Sequence, residues 1–166
     1  MKKEIITIAG KLGSGKSSTA KRVAQELAYQ HFSTGDFARQ VAAEHGFTIT
    51  EWNKHAENHP ELDHEVDAKS QALAQDNKVV LDSRLGFHFI PQSFKVFLEI
   101  DLMVAAQRVY QDLNNAHRSE ELQAQNLEEM VADITQRVRS EKKRYQELYN
   151  IDHQDHSNFD LVIDTG

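Results

Sequence analysis

The chain has 166 residues, a formal net charge of -7, 39% hydrophobic residues and no cysteine. Its acidic balance argues against a general nucleic-acid or membrane-surface role, where basic charge is expected. The lack of cysteine excludes disulfides and thiolate metal sites.

The length predicts one domain, 1–166, with a real core. No apolar run has membrane-spanning length. Met1-Lys2-Lys3-Glu4 leads into a strand too short for a signal-peptide core. A cytoplasmic protein, monomeric and without a nucleic-acid or membrane partner, is the expectation. The nine histidines are scattered. Their tightest groups are His55, His59 and His64, then His153 and His156, and both read as solvated surface.

In chain order, Glu4-Ile5-Ile6-Thr7-Ile8-Ala9 has the β-branched look of a buried strand. Gly10-Lys11-Leu12-Gly13-Ser14-Gly15-Lys16-Ser17 follows and fits the phosphate-binding pattern Gly, four residues, Gly-Lys-Ser. Ser18 then opens a helix to Leu27, with Ala20, Val23, Ala24 and Leu27 on one stripe. Strand, glycine loop and helix are the order the chemistry needs. The glycines let backbone N–H groups turn toward phosphate oxygens, and the helix start adds partial positive charge. Lys16 supplies a full charge for the transferring phosphate and Ser17 a hydroxyl for Mg2+.

Tyr29-Gln30-His31-Phe32 predicts a second strand. After it come Ser33-Thr34-Gly35-Asp36 and a helix from Phe37 to about His45, ended by Gly46. Thr48 or Thr50 can cap the next helix, with Glu51 in its first turn. Pro60 or the residues just after it start another, with a thin stripe of Leu62, Val66, Leu73 and Ala74. Lys78-Val79-Val80-Leu81-Asp82 and residues 94–100 read as strands. Met103 to about Leu113 reads as a helix, 114–119 as a polar break, and 120–149 as a long charged helix. Residues 159–164 form a last strand. Five strands separated by helices predict an α/β fold with a parallel sheet and right-handed crossovers.

Ligands of such sheets bind outside the carboxyl ends of the strands. The glycine loop, residues 33–36 and residues 82–86 all lie there. Ser33-Thr34-Gly35-Asp36-Phe37-Ala38-Arg39 combines a turn, an acid and an arginine suited to a phosphate and a sugar. Asp82-Ser83-Arg84 pairs an acid with a forked cation. Arg137, Glu141 and Arg144 share a helix face by three- and four-residue spacing, which fits a phosphate clamp and a solvated face equally well.

These stretches resemble the adenylate kinase-like nucleoside monophosphate kinases, and most of all the short cytidylate kinases of archaeal type. The matching residues also include 51–63, 79–85, 137–145 and 149–152, in order along nearly the whole chain. The resemblance implies a three-layer P-loop NTPase fold with a five-stranded parallel sheet. It adds a helical acceptor-binding segment at about 33–76 and a lid at about 114–140. It also implies transfer of a phosphate from ATP to CMP or dCMP with Mg2+. On that reading Gly10, Lys11, Leu12, Gly13, Ser14, Gly15, Lys16, Ser17, Ser18 and Arg108 bind the donor. Ser33, Gly35, Asp36, Arg39, Asp82 and Arg84 bind the acceptor. Lys16, Arg84, Arg137 and Arg144 act on the transferring group, while Ser17 and Asp82 place the metal. Asp63, Asp67 and Lys69 are candidates for the base, although a solvent-facing charge is the simpler reading of each.

The chain departs from the family at Ser83, where a glycine is common, and at Asp112, where an arginine is typical. Arg118 could stand in for that arginine. Relatives usually continue into one more helix, so the adenine-side wall at Asp164-Thr165-Gly166 is expected to be partial. The rival expectations are a kinase of another small acceptor (AMP, UMP, a nucleoside or a metabolite) and a nucleotide-binding module with little turnover.

Overall fold

The structure is a computed structural model and describes residues 4–56, 59–113 and 124–166. The elements are β1 (Ile5–Gly10), α1 (Lys16–Leu27), β2 (Gln30–Ser33), α2 (Thr34–Glu44), α3 (Ile49–Ala56) and α4 (Pro60–Ala72). They continue with β3 (Val79–Asp82), α5 (Gly86–Phe89), β4 (Phe94–Glu99), α6 (Leu102–Leu113), α7 (Leu127–Tyr149) and β5 (Leu161–Asp164). The five strands form one parallel sheet in the order β2-β3-β1-β4-β5.

The central strands are apolar on both faces because helices cover both faces. Ile5, Val79 and Leu81 join Phe87, Phe89 and Ile90 on one side. Ile8, Val80 and Leu98 meet Ala20 and Ala24 of α1 on the other. Alternate side chains of one strand thus feed two cores, as the period of two requires. A third cluster joins Ala106 and Val109 of α6 to Met130 and Ile134 of α7. A fourth holds α2, α3 and α4 together around Trp52, Val41 and Ala42.

Several boundaries differ from the sequence reading. The α2 helix starts at Thr34, not Phe37, so Gly35 and Asp36 lie in its first turn. An acid there suits the helix dipole, and this outweighs the poor helix propensity of glycine. Thr48, one of the two residues the sequence offers, caps α3. Its hydroxyl accepts from Glu51 N at 3.2 Å, and the Glu51 carboxylate accepts from Thr48 N at 2.8 Å. The long helix begins at Leu127, where the Asn126 side chain accepts from Glu129 N. The short helix α5 went unread because its Gly-Phe-His-Phe sequence carries no periodic pattern. The predicted polar break, with Arg118, and the first part of the expected lid fall within 114–123 and lie outside the described residues.

Candidate functional site

Strand register brings three chain exits together. Asp82 pairs across the sheet with Ile8 on one side and Ser33 on the other. From β1 the chain runs to β2 beyond β3, and from β3 it crosses to β4 on the far side of β1. The crevice at the ends of β1 and β3 is therefore the switch point where such sheets take ligands.

The glycine loop fills that crevice. Gly13 and Gly15 have φ of 82° and 79°, in the left-handed region. A Cβ on Gly13 would stand 2.9 Å from the Ala105 carbonyl oxygen, and one on Gly10 the same distance from that of Leu98. The α1 helix starts at Lys16 with no side-chain cap. Its first N–H groups and its dipole thus favour an anion. The buried Ser14 hydroxyl has no hydrogen-bond partner. An uncapped helix start and an unsatisfied hydroxyl are what a phosphate cradle requires.

The Lys16 ammonium pairs with Asp82 Oδ1, and the Asp82 side chain is 1% exposed. The other carboxylate oxygen of Asp82 is buried without a hydrogen-bond partner. Ser17 stands half-buried in the first turn of α1, and Ser18 beside it is exposed. A buried carboxylate oxygen with spare capacity is a hard ligand of the kind a divalent cation takes.

At the start of α2, the Thr34 hydroxyl donates to the Asp82 carbonyl at 3.3 Å and ties this helix to the end of β3. Arg39 donates to Asp36 Oδ1 at 2.5 Å. Ser33 Oγ and the Arg39 guanidinium flank Gly35, at 3.4 and 3.5 Å from where a Cβ would be. Ser33, Gly35, Asp36 and Arg39 therefore form one polar group at the start of α2.

Arg84 leaves β3 through a turn in which the buried Ser83 hydroxyl accepts from Leu85 N at 3.3 Å. This serine holds the turn. Arg84 Nε lies 3.0 Å from Glu141 Oε2, and Arg137 Nε lies 3.1 Å from Glu141 Oε1. His153 Nε2 lies 3.8 Å from Glu141 Oε2. Burial alone would push the Glu141 carboxyl up, but Arg84 and Arg137 outweigh it and hold the group below its usual range. Burial lowers His153 to about 4. Its ring is therefore uncharged at neutral pH, and its approach to Glu141 is a polar contact. A small open cleft lies between the glycine loop and α7, with Lys11, Leu12, Arg84, Arg137, Glu141 and His153 in its wall.

Arg144 lies toward α4. Its Nε is 3.5 Å from Asp63 Oδ2, and its guanidinium sits 5.4 Å from the centre of the Tyr145 ring. The Tyr149 hydroxyl donates to Asp67. Asp63 and Asp67 thus face α7 rather than solvent, and burial pushes Asp67 up to about 6. Arg108 donates to the Thr165 carbonyl at 2.7 Å, beyond the end of β5. Lys11 pairs with Glu99, which also meets His156 at 2.9 Å.

Two features escaped the sequence reading. Helical spacing put Glu141 beside Arg137, but its pairing with Arg84 exists only once α7 packs over β3. His153, read as surface, is 3% exposed. A lone histidine in a polar stretch carries no periodic signal of burial, so none could have found it.

A glycine phosphate loop, a buried strand-end acid and facing arginines on a parallel sheet define a P-loop kinase class. The fold agrees. A shikimate kinase from Bacteroides thetaiotaomicron matches with a TM-score of 0.66 at 15% identity, over 98% of this chain and 86% of that one. Residues 5–166 match the cytidylate kinase-like family, and the chain belongs to that family, an ATP-dependent phosphotransferase by class. It is 34% identical over 162 residues to a cytidylate kinase from Methanothrix thermoacetophila, covering 98% of this chain and 88% of that protein. It is also 36% identical over 162 residues to an S-adenosylmethionine-dependent nucleotide dehydratase from Lacinutrix mariniflava. That match covers 96% of this chain but 32% of the dehydratase.

Proposed function

We propose that the chain is a nucleoside monophosphate kinase that moves the γ-phosphate of ATP to CMP or dCMP, giving CDP or dCDP. The observation that carries this reading is the meeting of Lys16, Asp82 and Arg84 at one sheet edge, with the cluster at the start of α2 beside them. Such a site has a donor half and an acceptor half. The choice of cytidine rests on the cytidylate kinase relative. Residues of about 33–76 act as the acceptor-binding segment and those of about 114–140 as the lid.

In the reaction an ionised oxygen of the acceptor phosphate bonds to the γ-phosphorus while the bond to the bridging β,γ-oxygen breaks. The attacking oxygen is already charged near neutral pH, so no side chain must take a proton. The chain's task is positioning and charge neutralisation. The loop N–H groups and Lys16 hold the donor phosphates. Ser33, Gly35, Asp36 and Arg39 orient the acceptor at α2, with Arg39 and Arg84 on its phosphate. Arg137, at the end of the lid segment, faces the transferring group from α7 when the lid closes and excludes water, and Arg144 adds its charge from farther along the same helix. Arg108 and Lys11 border the donor at the β4–β5 side. Bound Mg2+ supplies further charge neutralisation, with the Ser17 hydroxyl and Asp82 carboxylate as its protein partners.

Lys16→Ala tests this reading. Turnover of CMP with ATP should fall about 100- to 1,000-fold, while circular dichroism shows the fold intact. Unchanged turnover would overturn it.

A further inference from the structure

We propose that Glu141 is a positioning residue that sets Arg84 and Arg137 as a pair at the transferring phosphate. The inference deepens the kinase reading and rests on it. Three separate parts of the chain converge on this carboxylate: the turn after β3, the middle of α7 and the loop after α7. Each Glu141 oxygen takes a different guanidinium, at 3.0 Å for Arg84 and 3.1 Å for Arg137. His153 closes the third side at 3.8 Å.

The point of contact matters. Both arginines meet Glu141 through Nε. A carboxylate engaged there fixes how each planar guanidinium is turned, and a planar guanidinium so fixed suits two-pronged recognition of phosphate. Two guanidiniums side by side repel each other, and a carboxylate between them cancels one charge and fixes their spacing. The Glu141 side chain is only 13% exposed. A charge so far from water stays with its partners, because leaving them would strand it unpaired.

A rival arrangement makes the opposite prediction. If Glu141 merely competed with substrate for the arginines, removing its charge would strengthen anion binding and raise turnover. If it positions them, removing the charge weakens both. Glu141→Gln keeps the shape and discards the charge. In the full chain, kcat/KM for CMP should drop at least about tenfold, with most of the loss in kcat because the arginine pair acts on the transferring group. The KM for ATP should change less than about twofold. Glu141→Asp keeps the charge at shorter reach and should fall between wild type and Glu141→Gln; it also carries the test if the glutamine variant does not fold. Thermal melts of each variant provide the correction for folded fraction.

Wild-type or higher kcat/KM in Glu141→Gln overturns the proposal, as does a loss fully explained by the folded fraction. If the wild-type chain phosphorylates no monophosphate, the kinase reading fails on its own account. Calorimetry with inorganic tripolyphosphate then decides the positioning claim. Weaker binding in Glu141→Gln supports it, and equal or tighter binding overturns it.

Discussion

Gly13 occupies a position that no side chain fits. Its φ is 82°, and the Ala105 carbonyl oxygen stands 2.9 Å from where a Cβ would be. That oxygen belongs to α6 backbone and cannot rotate away. Gly13→Ala should cost about 1–3 kcal/mol in urea melts and weaken ATP binding; an unchanged midpoint would contradict this. The buried ionisable groups make a second prediction. Burial pushes Asp67 up to about 6, whereas an unfolded Asp titrates near about 4. Between those values the native chain holds a proton that the unfolded chain lacks. This contribution is complete below about pH 4 and is lost as pH rises through about 6. His153 works the other way. It is held at about 4, against about 6.5 when unfolded, so its contribution is lost as pH falls through that window. Asp67→Asn leaves the His153 slope unopposed. The variant should gain about 1 kcal/mol near pH 8 and lose stability more steeply than wild type between about pH 6 and 4. A Tm difference that does not vary with pH would contradict it.

At the scale of elements, α2, α3 and α4 form a unit with its own core around Trp52, which is 2% exposed. That unit carries Gly35, Asp36 and Arg39 at one end, next to Ser33 at the end of β2. Trp52→Phe should cost about 1–3 kcal/mol and raise the KM for CMP while leaving that for ATP nearly unchanged. Equal changes in both would show that the unit does not serve the acceptor alone. The start of α7 rests on Asn126, and Asn126→Ala should cost about 1 kcal/mol in thermal or urea melts; an unshifted melt would deny that the cap matters. Elements with strong local signals were legible in the sequence. The strands around Val79-Val80-Leu81 and Phe97-Leu98 announced themselves as apolar runs, and Gly46 and the Thr48–Glu51 box marked helix ends. The start of α2 was not legible, because Gly35 reads as loop until a strand end and a helix dipole compete for it.

The whole molecule places chemistry by topology. Parallel strands ending at one edge bring the loop after β1, the start of α2 and the turn after β3 to a single crevice, and this much followed from motif order. The pairings across it did not. Lys16 with Asp82, Arg84 with Glu141 and Arg144 with Asp63 join residues dozens of positions apart, and no local pattern encodes such contacts. His153 is buried for the same reason, by the packing of α7 over the sheet. The central claim, a site that phosphorylates a cytidine monophosphate, is tested most directly by an acceptor panel. CMP, dCMP, AMP, UMP and shikimate are each supplied with ATP and Mg2+, and phosphorylated product is measured. CMP and dCMP should exceed the others in kcat/KM by at least about tenfold. Equal or better use of AMP, UMP or shikimate would contradict it.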